Sequence, residues 1–277
     1  MGTKNFIPTI WSDLIFREYD KSLVFASLVN RDYEGEVQGF GDKVKINEIG
    51  AVAVKTYAGT VAYDEPTDAS KFLLIDQQKY AAIDYDDIDA AQSKPKTLME
   101  ITRKMGVALS ENVDEFIASM CDEAGIVAGT TGSPTAINSA NVTTVLSLIA
   151  QKMDEANAPQ SGRVAVVPPW FAQKLTLAKI VKDTDNSGVL NTGYVGTYYG
   201  FDIYMSNSVS HSGTTWYKPM FFLRNDTISF AQQIMSTEAM RLETKFADGI
   251  RSLMVYGGKV VRPSTLAIEI CVPTAEV

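Results

Sequence analysis

The chain is poor in the residues that most chemistry needs. Its 277 residues include one histidine, His211, and two cysteines, Cys121 and Cys271. A structural zinc site takes four soft ligands, so the composition argues against one. Two thiols far apart in sequence make no disulfide scaffold and read as buried, apolar-like side chains. No stretch approaches the ~18 unbroken apolar residues of a membrane span. The opening MGTKNFIPTIWSD lacks the charged start and apolar run of a signal peptide. Phe6 stands where the myristoylation pattern wants Ser or Thr. A soluble, cytosolic protein is expected. Basic residues are also few: 25 Lys and Arg against 33 Asp and Glu, a formal net charge of −8. A protein that grips nucleic-acid phosphates presents a basic surface. The acidic balance argues against that task, though not against merely enclosing nucleic acid.

The motifs of catalysis fail one by one. A Ser-His-Asp or Cys-His site would need His211, which sits in the loop SNSVSHSGT, a poor mount for an oriented base. Gly39-Phe40-Gly41 lacks the third glycine of a dinucleotide fingerprint, and no Gly-Lys-Ser/Thr phosphate loop occurs. Asp183 to Gly188 imitates half of a calcium loop, but Tyr194 occupies the place of the bidentate Glu. The run Asp84, Asp86, Asp87 and Asp89 lacks that loop's glycine turn and distal glutamate, and reads as a solvated or salt-bridging strand-to-helix connection. Asn141-Val142-Thr143 and Asn225-Asp226-Thr227 fit a glycosylation sequon without a secretion signal. Nothing marks out one carboxylate pair for hydrolysis. No catalytic residue, cofactor or metal is expected.

What is present is a core and a spine. Hydrophobic residues make up 45% and charged residues 21%, enough apolar content to fold. In residues 95–125, Leu98, Ile101, Met105, Leu109, Val113, Phe116, Ile117 and Met120 recur at steps of three and four, one stripe of a long helix. Ser93 and Pro95 suit its start. Gly125 suits a left-handed close.

The flanking segments organise around this helix. Residues 3–39 form an arm with a short helix bearing Trp11, Leu14, Ile15, Phe16 and Tyr19, followed by Leu23, Val24, Phe25, Leu28 and Val29. A terminal segment so apolar must dock, either on its own body or on a neighbouring subunit. Residues 42–85 alternate with a strand period through Val44, Ile46, Leu74, Tyr80 and Ile83, around a small polar tip, and predict a long hairpin. A lone ribbon is marginally stable, so it needs a partner surface. A small-residue linker at 128–140 leads to a mixed α/β lobe. There Asn141 caps a helix with Val145, Leu148, Ile149 and Met153, residues 163–167 form a buried strand, and Pro168-Pro169 starts a helix with Trp170, Phe171 and Leu175. A polar loop spans 183–199, strands follow at 201–205 and 221–223, and the chain from 227 onward is strand-like. The last strands are expected beside the long helix.

This order resembles the major capsid (coat) proteins of tailed bacteriophages, of the Hong Kong 97-type fold. The likeness covers nearly the whole chain. It is carried by IWSDLIFREYDKSLVFASLVNRDYEGE, KYAAIDYDDIDAAQS and ETKFADGIRSLMVYGGKVVRPSTLA. The resemblance implies an α+β fold with an N-terminal arm at 1–41, an extended E-loop hairpin at 42–85, a peripheral (P) domain at 86–140 with its spine helix at 95–124, an axial (A) domain at 141–230, and P-domain strands at 231–277. It implies a non-enzymatic coat subunit, assembled as pentamers and hexamers into an icosahedral shell that encloses double-stranded DNA without reading its sequence. A separate scaffolding protein and a portal are the implied partners, with assembly in the host bacterial cytoplasm and no membrane. Trp11, Phe16, Phe25, Tyr57, Tyr63, Lys71, Tyr194 and Tyr198 are the residues expected at subunit contacts. Two departures stand out: the arm begins at once, without a long scaffolding helix before it, and Lys71 has no assignable cross-linking partner. An encapsulin-type nanocompartment shell, and an α/β enzyme using carboxylates of the second lobe, are the alternatives.

Overall fold

The long helix forms and turns its stripe inward. The structure, a computed structural model, describes residues 23–34, 43–49, 56, 68–86, 96–178, 194–213, 215–241 and 247–275. Helix α1 spans Lys96–Ser119, and a 3-10 turn, Met120–Glu123, extends it. Met105, Leu109, Val113, Ile117 and Met120 are buried along it. The helix-start residues Ser93 and Pro95, and the side chains of Leu98 and Ile101, lie outside the described residues. Gly125 does not close the helix in a left-handed conformation, because positive φ among the glycines occurs at other positions. It is required by crowding instead. A Cβ there would stand 2.5 Å from the carbonyl oxygen of Pro263.

The expected hairpin is shorter than its sequence pattern. Strands β1 (Lys43–Ile49) and β2 (Asp68–Leu74) pair antiparallel from Lys43↔Leu74 to Ile49↔Asp68. The alternation then runs on into β3 (Gln77–Asp86), which leaves the ribbon for another sheet. A period of two is common to both strands, so it cannot mark where the chain changes sheet. Residues 42–85 are therefore not one hairpin.

Beyond α1 come β4 (Ile126–Ala128) and β5 (Thr135–Ile137), where a linker was expected. Helix α2 (Val142–Glu155) buries Leu146 and Ile149 but leaves Leu148 51% exposed. Asn141 occupies its N-cap position without capping, since its Oδ1 accepts the Asn138 N–H at 2.9 Å. Strand β6 (Arg163–Val167) is wholly buried, and α3 (Pro169–Leu177) follows with proline in its first turn, both as expected. Strand β7 (Tyr194–Tyr198) occupies part of the expected loop. It turns into β8 (Phe201–Met205) through Tyr199 and Gly200, at φ 52° and 81°. Two successive positive φ values are what a tight hairpin turn demands.

Short strands β9 (His211–Ser212) and β10 (Trp216–Tyr217) lead to β11 (Met220–Leu223). Two long strands, β12 (Ile228–Arg241) and β13 (Ala247–Val260), precede β14 (Ala267–Glu269) and β15 (Cys271–Pro273). The central sheet has the order β4-β14-β11-β6-β8-β7, a smaller one β5-β15-β10-β9, and a third β12-β13-β3. Of the returning strands, β12 and β13 form one sheet with β3. The last two strands join the sheets that also hold β6, β8, β10 and β11. The parallel pairs β14 with β4 and β15 with β5 draw them there.

The alternation along the central sheet explains why the two lobes are one body. Val164, Val166, Met220, Phe222 and Ile268 face the core shared with α1, β12 and β13. Their neighbours Ala165, Val167, Phe221 and Ala267 face the core under α2 and α3. Each strand thus feeds two cores, and neither lobe buries its share alone.

Residues 23–34 belong to this body rather than to a free arm. Leu23, Phe25, Ala26, Leu28 and Val29 are buried in the α1 core. The Asn30 N–H donates to Ile228, and Asn30 in turn accepts from the Phe230 N–H, each at 2.9 Å. The rest of the expected arm, with its helix at 11–19, lies outside the described residues.

Candidate assembly surface

His211 is exposed on β9, its ring stacked on Tyr217 at 5.4 Å and its Nδ1 3.0 Å from the Val209 carbonyl oxygen. Among the described residues, no group of three or more His, Cys, Asp or Glu is placed to hold a metal ion. Cys121 and Cys271 are free and buried, and burial pushes both thiols up, the reverse of what a nucleophile needs. Among the described residues two carboxylates are buried, Asp114 and Glu269, each raised chiefly by burial. They sit in different parts of the fold and form no pair. No described helix is long and apolar enough to cross a membrane.

Surfaces carry more information. The foot of the ribbon is seated: Val44, Ile46, Leu73 and Ile75 pack against Ala231, Val255 and Val261. Burying each large side chain contributes about 1.5–3 kcal/mol. Lys71, on the same face of β2 as Leu73, donates from Nζ to the Val261 carbonyl oxygen. The opposite face of the ribbon is uncovered. Phe72 and Leu74 stand 51% and 45% exposed, directly across from Lys45 and Lys43. Between them and the end of α1 lies a cleft of about 340 Å3 floored by Phe116 and Met120, with Asp76, Asp122 and Glu123 at its rim. Lys259 pairs with Glu123 at 2.8 Å, and Lys218 with Asp122 at 2.5 Å.

A second open surface continues beyond the ribbon's foot, on the outer face of β12-β13-β3. The register places Tyr80 opposite Leu253, Ala82 opposite Arg251, and Asp84 opposite Gly249. Glu238 and Met240 of β12 extend the last two rows. Directly opposed residues share a face. Tyr80 is 76% exposed and Met240 44%. Arg251 reaches Glu238 through Nε at 2.9 Å and Nη2 at 2.5 Å, a charge pair within this face. The inner face packs on α1, where Tyr256 donates to Asn112 at 2.7 Å and meets Phe116 edge-on at 5.1 Å. The sheet is thus covered on one side, while on the other Tyr80 and Met240 stand in solvent.

The expected contact residues fare unevenly. Trp11, Phe16, Tyr57 and Tyr63 lie outside the described residues, as does the side chain of Tyr194 on β7. Phe25 is fully buried in its own chain's core and is corrected from contact residue to core residue. An aromatic in a terminal segment can serve either place, and only the docking of 23–29 on α1 decides. Lys71 holds the ribbon's foot, and Tyr198 is half-buried beside Tyr199, ring centroids 6.0 Å apart. Tyr80, Met240 and Leu253, which line the open sheet face, are not among the residues that the sequence singles out. The available signal was an aromatic on the polar side of an alternating strand.

The comparisons fit this geometry. The family model described as phage capsid protein matches residues 70–268. A solved structure from Mycobacterium phage Che8 is 30% identical, with a TM-score of 0.71, covering 89% of this chain and 90% of that one. The capsid of Ralstonia phage GP4 is 10% identical with a TM-score of 0.68, covering 92% of each chain. The capsid of the cyanophage P-SCSP1u is 16% identical with a TM-score of 0.65, covering 91% of this chain and 88% of that one. No curated protein matches the sequence. The fold is the Hong Kong 97-type, and the chain belongs to the phage capsid protein family, as a major capsid protein of a tailed phage with a structural role in the virion shell.

Proposed function

We propose that this subunit assembles as pentamers and hexamers into an icosahedral shell around double-stranded DNA, with no enzymatic activity of its own. The peripheral domain consists of α1, β3, β12 and β13. The axial domain, whose tips meet at the five-fold and six-fold axes, consists of the central and small sheets with α2 and α3. Residues before 23 act as the arm, and the ribbon tip between β1 and β2 as the extended loop. The observation that carries this reading is the pair of uncovered surfaces. Phe72 and Leu74 on the ribbon, and Tyr80 and Met240 on the sheet, stand open to solvent. Repeated copies offer the simplest cover for such surfaces, because each weak contact is multiplied over a closed lattice. The net charge of −8 suits a wall that contains DNA without adhering to it. A scaffolding protein, a portal and assembly in the host cytoplasm complete the proposal.

The test is direct. The purified chain, alone and co-expressed with its phage's scaffolding protein, is examined by light scattering and negative-stain electron microscopy. Closed particles or five- and six-membered capsomers are expected. A strictly monomeric species under both conditions overturns the reading.

A further inference from the structure

The outer face of β12-β13-β3 holds a trough rather than a flat patch. Two clefts, of about 340 and 430 Å3, meet at Ala82 and Arg251. One opens beside Asp84, Met240 and Gly249, the other beside Tyr80, Leu253 and Glu238. Together they run from the row of Tyr80 to the row of Asp84 on β3, about 13 Å at the rise of a strand. Apolar side chains stand at both ends, and the small Ala82 leaves the middle low. The trough has the length of one stretch of this chain. Trp11, Leu14, Ile15 and Tyr19 are spaced as one apolar stripe of a short helix. From Trp11 to Tyr19 such a helix rises about 12 Å. Glu18 falls on the same stripe, while Asp13 and Arg17 fall on the other side.

The arm of a chain is too short to fill that chain's own trough. Leu23 lies in the core on the α1 side of the sheet, with Phe230, Met254 and Tyr256 of its inner face. The Val24 N–H is fixed to Asp114 of α1 at 2.8 Å. From Leu23 back to Tyr19 the chain spans at most about 14 Å. The way round to the outer face is longer, since it clears a helix layer about 10 Å deep and then strands spaced about 4.8 Å apart. We propose that the arm helix 11–19 of one copy lies in the trough of a second copy, with Trp11 at the Met240 end and Tyr19 at the Tyr80 end. This direction sets Glu18 toward Arg251 and away from Asp84, and Leu14 and Ile15 cover Ala82. The inference rests on the reading of the chain as a shell subunit and names what covers its open sheet. Each copy gives one arm and receives another, a head-to-tail contact that forms rings where the rotation closes.

Full chains carrying Trp11→Cys with Met240→Cys, or Tyr19→Cys with Tyr80→Cys, are assembled, oxidised and run on a non-reducing gel. Trp11→Cys with Phe72→Cys, which probes the ribbon's open face instead, runs beside them. The native thiols are buried, so the links report the introduced pairs. The first two pairs are expected to give ladders of covalent multimers, and the third to stay as single chains. Either of the first two pairs suffices should the other variant not assemble. Closed particles in which neither pair links, in which the arm links to position 72, or in which the link stays within one chain overturn the proposal and leave the shell reading standing. Absence of particles and capsomers from wild type as well overturns both.

Discussion

Gly257 of β13 lies against the backbone of Leu74 at the end of β2, so close that a Cβ on it would overlap the Leu74 carbonyl oxygen. Gly257 cannot retreat, since β13 pairs there with Ala231 of β12. The next residue, Gly258, faces the other way and lies against Met120 at the end of α1. Two successive glycines thus let ribbon, sheet and helix meet at one crossing. Gly257→Ala is expected to destabilise the subunit by about 1–3 kcal/mol. Gly258→Ala is expected to cost less, because the Met120 side chain can yield. Urea unfolding of both variants checks the order, and equal midpoints would sink it.

Phe25 distinguishes a core residue from an interface residue. Its burial within the single chain predicts that Phe25→Ala lowers the stability of the unassembled subunit by about 3–5 kcal/mol. A residue used only between subunits would leave that stability within about 0.5 kcal/mol of wild type. Chemical denaturation at concentrations below assembly separates the two.

Tyr80 should behave in the opposite way. At 76% exposure, Tyr80→Glu is expected to move subunit stability by no more than about 0.5 kcal/mol, while lowering the yield of closed particles. Particle counts by electron microscopy beside a melting curve of the subunit test both halves. Normal assembly of the variant would remove this sheet face from the contact surface.

Asp114 and Glu269 are both raised by burial, so each contributes stability that is full below its unfolded value and fades as the pH rises. For Asp114 the window runs from about 4 to about 6. The unassembled subunit should therefore gain about 1.4 kcal/mol from this group alone between pH 7 and pH 5. Urea midpoints at the two pH values check it, with Asp114→Asn and Glu269→Gln expected to flatten the dependence together.

The two thiols offer a simple probe of packing. With Cys121 and Cys271 buried and their acidity suppressed, a thiol reagent at pH 8 should label the folded chain at least about tenfold more slowly than the chain in urea. Rapid labelling of either cysteine without denaturant would contradict the described core.

Much of the fold was legible because it is local. The stripe from Met105 to Met120 announces α1, the proline pair before Trp170 announces α3, and the apolar run at 164–167 announces a strand buried on both faces. Other features had no local signature. Gly125 and Gly257 are needed for close approach to Pro263 and Leu74, which are remote in sequence. Phe25 and Tyr80 are both aromatics in apolar company, yet one is fully buried and the other stands in solvent. Side-chain chemistry and periodicity by themselves determined the helices and most strands. Only the tertiary structure decided which strand joins which sheet and which apolar residues stay uncovered, because a period of two or 3.6 names a face without naming what will cover it.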